Sequence, residues 1–396
     1  MSESSPPDAP SRSTAWEVAR AFLRLGTTAF GGPAAHVAMM EDEFVRRRRW
    51  LTHAEFLDML GAVNLIPGPN STEMAIYVGY RRAGWKGLVL AGVCFILPAM
   101  AIVTALAWAY VRYGTLPQVG GALYGVKPVV IAIILQALCR LGGKAITTWR
   151  AAAVAAAAVA AGALGLDPLS LVLSGGLAVG WWQGIGAGRG RSWRALATMT
   201  LAAGGILALV HLAPAIDLSS GGEFGLGPLF LYFLKIGSVV YGSGYVLVAF
   251  LEGDLVHRWG WLTSKQLLDA TAVGQVTPGP LFTTATFIGY LNNGGLAGAV
   301  LATVGIFLPS FVFIALGGAL FPRLRRSATA AAFLDGVNLA ALALMAVVSL
   351  RLGREAIVDP TTVLLAVASG ILLVRFRVGS AWLVLGGALV GLAVGP

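Results

Sequence analysis

Long apolar runs, separated by short stretches rich in Gly, Pro and Arg, set the pattern of the chain. Four follow one another at about 85–111, 117–140, 151–166 and 168–183, and four more at about 295–321, 328–350, 360–374 and 379–395. These runs predict membrane-spanning helices. Ahead of each set lie two further apolar stretches that are interrupted. Breaks at Gly31-Gly32-Pro33 and Pro67-Gly68-Pro69 precede the first set, and breaks at Gly242-Ser243-Gly244 and Pro278-Gly279-Pro280 precede the second. One more run, about 195–213, has no counterpart.

The two sets are copies. Placing Pro67 on Pro278, a shift of 211 positions, lays Phe22-Leu23-Arg24-Leu25-Gly26 on Phe233-Leu234-Lys235-Ile236-Gly237. The same shift pairs Glu41 with Glu252, Trp50-Leu51-Thr52 with Trp261-Leu262-Thr263, Asp58 with Asp269 and Leu97-Pro98 with Leu308-Pro309. One fixed register over this much chain marks an internal duplication. The expected organisation is a polar tail at 1–14, a first repeat at 15–183, a linker with one span at 184–225, and a second repeat at 226–396.

Composition agrees. Of the 396 residues, 57% are apolar and only 12% charged, with a mean hydropathy of +0.79. That balance excludes disorder and nucleic-acid readers and speaks against a cytosolic enzyme, whose surface would aggregate if it were this apolar. Most of the +10 net charge sits between apolar runs, where it sets orientation. Basic residues precede the first long span (Arg46 to Arg49, Arg81, Arg82, Lys86) and separate the second from the third (Arg140, Lys144, Arg150). In the second repeat the first long span is preceded by uncharged Asn292-Asn293-Gly294-Gly295 and followed by Arg323, Arg325 and Arg326. Arg375 and Arg377 fit that arrangement, whereas Arg351 and Arg354 do not, with Glu355 and Asp359 beside them. The expectation is therefore an all-α polytopic membrane protein of two inverted-topology repeats with broken or re-entrant helices, joined by an extra transmembrane span. Its N-terminus would be cytoplasmic, and no apolar segment for a cleaved signal peptide occurs in Met1–Thr14.

Inverted repeats with interrupted helices are the build of secondary transporters, in which half-helix N-termini meet substrate at mid-bilayer. Helices restarting near Pro33, Asn70, Gly244 and Leu281 would present free N–H groups and about half a positive charge each. Such a site suits an anion, with Gly31, Gly32, Gly68, Pro69, Asn70, Ser71, Gly242, Ser243, Gly279 and Pro280 as its expected backbone frame. Asn70 followed by Glu73 reads as a capping box. Packing kinks would give the same breaks.

Charged residues inside apolar segments are the other candidates. Arg24 and Lys235 are repeat mates ahead of the first break and can reach a shared cavity or snorkel to headgroups. Lys127 lies well inside its span opposite Asn338, and can hold an anion, move a proton, or pair with a carboxylate. Glu41, Glu252, Asp58, Asp269 and Asp335 are candidates for proton coupling or for plain salt bridges. The four histidines lack ligand spacing, Cys94 and Cys139 suit core filling, and no Walker A sequence occurs, so neither metal, cofactor nor direct ATP drive is expected.

The stretches Phe22 to Gly26, Phe30-Gly31-Gly32-Pro33, Glu41 to Trp50, Pro67-Gly68-Pro69 and Gly79-Tyr80 with Gly84 and Gly87, repeated in the second half, resemble the chromate ion transporter family in its two-domain form. The resemblance implies export of chromate across the bacterial inner membrane, with sulfate as the close analogue and the proton-motive force as drive. Its motif positions fall on Arg24, Gly31, Gly32, Pro33, Glu41, Trp50, Pro67, Gly68 and Pro69, and on Lys235, Gly242, Glu252, Trp261, Pro278, Gly279 and Pro280. Asn64 and Arg24 stand where Gln and Lys are commoner in the family. The expected partners are a chromate- or sulfate-like dianion, protons, lipid and a second copy in a homodimer, with no nucleic acid. A passive anion channel is the alternative; an enzyme would need a nucleophile and base pair or a metal cluster, and the sequence offers neither.

Overall fold

The computed structural model describes residues 15–186, a few positions between 197 and 205, and residues 224–241, 244–291, 294–317 and 327–395. The tail at 1–14, Gly242, Ser243 and most of the unpaired run at 195–213 lie outside the described residues.

Every described element is helical. The first repeat holds α1 (Ala15–Thr28), α2 (Gly32–Glu41), α3 (His53–Val63), α4 (Asn70–Tyr113), α5 (Pro117–Ala145), α6 (Trp149–Ala163) and α7 (Pro168–Gly186). The second holds α8 (Leu226–Val239), α9 (Gly244–Leu251), α10 (Ser264–Val276), α11 (Thr284–Tyr290), α12 (Gly295–Gly317), α13 (Ala328–Ala356), α14 (Pro360–Arg375) and α15 (Ser380–Val394). The 211-residue register carries α1 onto α8 and α5 onto α13 without offset. It also carries one π-helical turn, Asp42–Arg47 after α2, onto another, Glu252–Arg258 after α9.

Local chemistry explains the matched starts. Thr52 and Glu55 form a capping box at α3, and their mates Thr263 and Gln266 form one at α10. Asn70 and Glu73 do not form the box expected of them. Pro69 occupies the cap position of α4, and Asn70 instead donates to Asn64 Oδ1 at 2.7 Å. The α4 helix runs on through a kink at Ala83 and Gly84 into the first long span, whereas the second repeat separates the same two pieces as α11 and α12.

Small residues set the packing. In both repeats the first helix lies on the long span, with Gly26 under the Phe95 carbonyl and its mate Gly237 under that of Ile306. Across the repeats, helices are exchanged. Gly121 and Gly125 of α5 meet Gly387 and Gly391 of α15, and Gly336 and Ala340 of α13 meet Gly175 of α7. Both are small-xxx-small seams, which let backbones approach where lipid offers no hydrophobic drive. The same exchange places α6 on α13 and α14 on α5, so an approximate two-fold axis relates the halves.

Four described helices, α4, α5, α12 and α13, are long and apolar enough to cross a membrane. On α4 the exposed stripe Trp85, Val89, Val93 and Leu97 faces outward, while Leu88, Ala91, Phe95 and Ala99 are buried. The runs expected as full spans at 151–166, 360–374 and 379–395 fold as helices of 15, 16 and 15 residues. At 1.5 Å rise each reaches about 22–24 Å, less than a ~30 Å hydrocarbon core.

Because the seams admit no side chain, Gly336→Leu is expected to lower the thermal midpoint of the detergent-purified protein by 10 °C or more, or to remove it from the membrane. Gly370→Leu, at a position on α14 with open space around it, is the control and should leave the midpoint unchanged.

Candidate functional site

The breaks come together in pairs. Gly68 N–H donates to the Val240 carbonyl at 2.8 Å, and Gly279 N–H donates to the Ala29 carbonyl at 2.8 Å. Donors and acceptors are both repeat mates, so the Pro-Gly-Pro loop of each half is tied to the end of the first helix of the other. Gly68 has φ 131° and Gly279 φ 95°, a backbone region that L side chains rarely adopt. His36, buried on α2, adds a third contact by donating from Nε2 to the Ala29 carbonyl at 3.1 Å, its ring edge-on to Phe95 at 5.7 Å. The two bonds from Gly68 and Gly279 satisfy break-point N–H groups of each half with a carbonyl of the other, and His36 reinforces the Ala29 carbonyl from within its own half.

Beside this junction opens a cavity of 770 Å³. Gly31 and Pro33 at the start of α2, Asn64 and Asn70 around the start of α4, and Tyr241 and Val246 near the start of α9 form one wall. Asp335, Asn338 and Leu342 of α13 form another. Arg140 and Lys144 from the end of α5, with Arg150 from the start of α6, complete it. The Arg150 guanidinium lies over the rings of both Trp149 and Trp182, at 5.7 and 5.3 Å. Those exposed indoles are amphipathic anchors of the kind found at a membrane interface and fix the cation at the cavity wall. Three cations against the one carboxylate of Asp335 make the cavity an attractor for anions. The cluster Arg140, Lys144, Arg150 is visible in the sequence but there signals only orientation.

Other sequence candidates are held elsewhere. Lys127 pairs with buried Asp269 at 3.4 Å, and Tyr110 donates to the same carboxylate at 2.9 Å. Lys235 pairs with Asp254 at 3.8 Å, while its mate Arg24 is exposed beside Asp42, Glu43 and Arg47, so these two cations do not share a cavity. Glu252 is buried between His257 (2.7 Å) and Arg351 (3.5 Å), and Glu41 meets His53 and Arg46 near the surface. Asp58 is exposed on α3. Ser71 is buried in the first turn of α4, Gly32 adjoins Gly31 at φ 79°, Pro280 caps the short turn Leu281–Thr283, and Gly244 packs on Leu281. Gly242 and Ser243 lie outside the described residues. Among those described, no three His, Cys, Asp or Glu side chains are grouped to hold a metal.

Paired helix breaks on a two-fold axis, flanked by a basic cavity in an all-helical membrane bundle, define a transport protein rather than an enzyme. The chain belongs to the chromate transporter family, whose model, described as "Chromate transporter", matches it twice, over residues 16–181 and 227–392. It is 35% identical to the chromate transport protein of Cupriavidus metallidurans, over 95% of this chain and 92% of that protein. It is 33% identical to a probable chromate transport protein of Synechococcus elongatus, over 87% of this chain and 86% of that one. A chromate transport protein of Pseudomonas aeruginosa is also 33% identical, over 84% and 80%. No solved structure matches at a significant level.

The Lys127–Asp269 pair makes a stability prediction. Lys127→Met leaves Asp269 buried without its cation and should destabilise the protein by about 3–5 kcal/mol. Adding Asp269→Asn, which still accepts from Tyr110, should recover most of that loss in thermal unfolding. A single substitution that is silent in the same measurement would show that the pair carries no weight in the fold.

Proposed function

We propose that this protein exports chromate from the cytoplasm across the bacterial inner membrane by alternating access, driven by the proton-motive force. The observation that carries the reading is an asymmetry between equivalent positions. On one side, Arg140, Thr148, Asp335 and Asn338 line the open cavity. Their repeat mates are Arg351, Asp359, Tyr124 and Lys127, and each of these is engaged. Arg351 binds Glu252, Lys127 binds Asp269, and Tyr124 donates to Asp359 at 2.5 Å. That hydrogen bond from Tyr124, with the Thr362 N–H, holds the Asp359 carboxyl below the usual carboxylate range.

With the repeats inverted, as the basic residues argue, the mates of an open vestibule form a closed one on the opposite face. Exchanging the two arrangements would carry the site from one side to the other, which is what alternating access requires. The open mouth carries Arg140, Lys144 and Arg150, and by the positive-inside rule it faces the cytoplasm. A vestibule open inward and lined by cations suits collection of a dianion for export. Chromate and sulfate share shape and charge, and backbone N–H groups with Arg and Lys recognise both. The inner membrane, the N-terminus inside and the junction glycines as substrate contacts belong to this same reading.

Uptake of radiolabelled chromate into everted vesicles tests it. Accumulation against the gradient, collapse on adding an uncoupler, and competition by sulfate are the expected results. Flux that only runs downhill would identify a passive anion channel instead. Replacing Arg140, Lys144 and Arg150 together by Gln should cut the initial rate about tenfold or more at low ionic strength and by a smaller factor at high salt, because the lost contribution is long-range attraction.

A further inference from the structure

Four carboxyl side chains are buried among the described residues, and three of them face a cation. Glu252 has His257 and Arg351, Asp254 has Lys235, and Asp269 has Lys127. Glu73 has none among the described residues. It is fully buried in the first turn of α4, where Ser310 of α12, from the other repeat, donates to Oε1 at 3.2 Å. Its Oε2 has no hydrogen-bond partner among the described residues. A Cβ on Gly68 would run into Oε1, so the carboxyl is pressed against the Pro-Gly-Pro loop that ties the two halves together.

The group also breaks the two-fold symmetry. The mates of Glu73 and Ser310 are Thr284 and Ala99, so the junction contains this carboxyl on one side only. The cavity is close by. Asn70, one turn earlier on α4, and Tyr241, which lies within electrostatic reach of Glu73, both line it. The other ionisable groups on neighbouring elements are exposed or hold other partners. His36 is engaged with Ala29, Arg24 of α1 and Asp58 of α3 are exposed, and Glu55 is bound to Arg81. An ionised carboxylate buried without a cation costs several kcal/mol, and an anion in the adjoining cavity adds repulsion to that cost.

We propose that Glu73 is a proton-binding site coupled to the anion site. The carboxyl carries its proton while the anion occupies the cavity. When the junction opens to water on the other side, the O–H bond breaks heterolytically and the proton passes to that water, leaving a carboxylate that is reprotonated from the cytoplasm before an anion binds again. Each cycle then exports one dianion with one proton, a net negative charge that the inside-negative membrane potential, rather than the pH gradient, drives outward. By linkage, whatever the proton does for the anion, the anion does for the proton. One proton per anion makes affinity fall about tenfold per pH unit above the midpoint of the titration. The inference rests on the anion reading of the cavity.

Chromate binding to the purified protein, measured from neutral to alkaline pH where chromate is a dianion, separates the two. The wild type should lose affinity as pH rises, with a limiting slope of one decade per unit. Glu73→Gln, close in shape and always neutral, should bind chromate with a flat profile, and Glu73→Asp should keep the slope. If Glu73→Gln is absent from the membrane, Glu73→Thr, which installs the residue of the second repeat, takes its place. A wild-type profile that is flat, or a slope that survives both neutral substitutions, overturns the role of Glu73. A wild type that binds and transports no chromate overturns the anion reading itself.

Discussion

Non-helical backbone inside a membrane must find its hydrogen bonds within the protein, because lipid offers none. Every helix break at that depth raises the question of what receives its N–H and C=O groups. Here the answer is reciprocal: Gly68 bonds to Val240 across the halves, and Gly279 bonds to Ala29. Neither half can close its own breaks, so the two repeats are interdependent rather than merely adjacent. The exchange of terminal helices follows the same logic, since α6 and α7 pack on α13 while α14 and α15 pack on α5. Duplication supplied two copies of an incomplete unit, and the two-fold axis completes both.

Symmetry in the backbone leaves the side chains free to differ, and the differences fall where the halves meet. Glycines, prolines and capping threonines repeat in register because they set chain geometry. Several ionisable residues do not: Lys127 stands opposite Asn338, Glu73 opposite Thr284, and His36 opposite Leu247, although Glu41 and Glu252, Asp58 and Asp269, and Arg140 and Arg351 remain matched. In the proposed transport cycle, a two-fold frame with unequal side chains would take two arrangements of similar but unequal energy, which a bound ion can bias. On the proposed alternating-access reading, the open cavity on one side and the bonded Tyr124, Lys127 and Arg351 on the other would be one of those arrangements.

The repeat, the four breaks and the order of helices are legible in the sequence because Gly, Pro and apolar runs act locally. The boxes Thr52–Glu55 and Thr263–Gln266 fit the same pattern of a hydroxyl followed three residues later by Glu or Gln, and could have been read the same way. Glu73 was misleading for the opposite reason. Its spacing from Asn70 fits a cap, but its partner Ser310 is 237 positions away and belongs to the other repeat. The cations were similarly opaque. Lys127 and Lys235 have no partner that spacing names, although a carboxylate pair is one expectation for Lys127, and they are bound to Asp269 and Asp254 in three dimensions, while Arg140, Lys144 and Arg150 look like an orientation signal and line the cavity. Spacing reveals partners on one helix; it is silent about partners brought by an exchanged one.

The placement of charge has a consequence for how a dianion is held. With Lys127 and Lys235 paired to acids, the proposed anion would meet peptide N–H groups at helix starts, each equivalent to about half a positive charge. Full cations stand along the cavity wall, with Arg150 held between two indoles of the membrane-interface type. Such a gradient favours entry through long-range attraction without a deep buried trap of full countercharges. A carrier needs that balance, because an ion neutralised completely at mid-membrane would be bound too tightly to leave. On the proposed function, sequestering the buried lysines is thus as much a part of anion transport as supplying the basic residues that attract the anion.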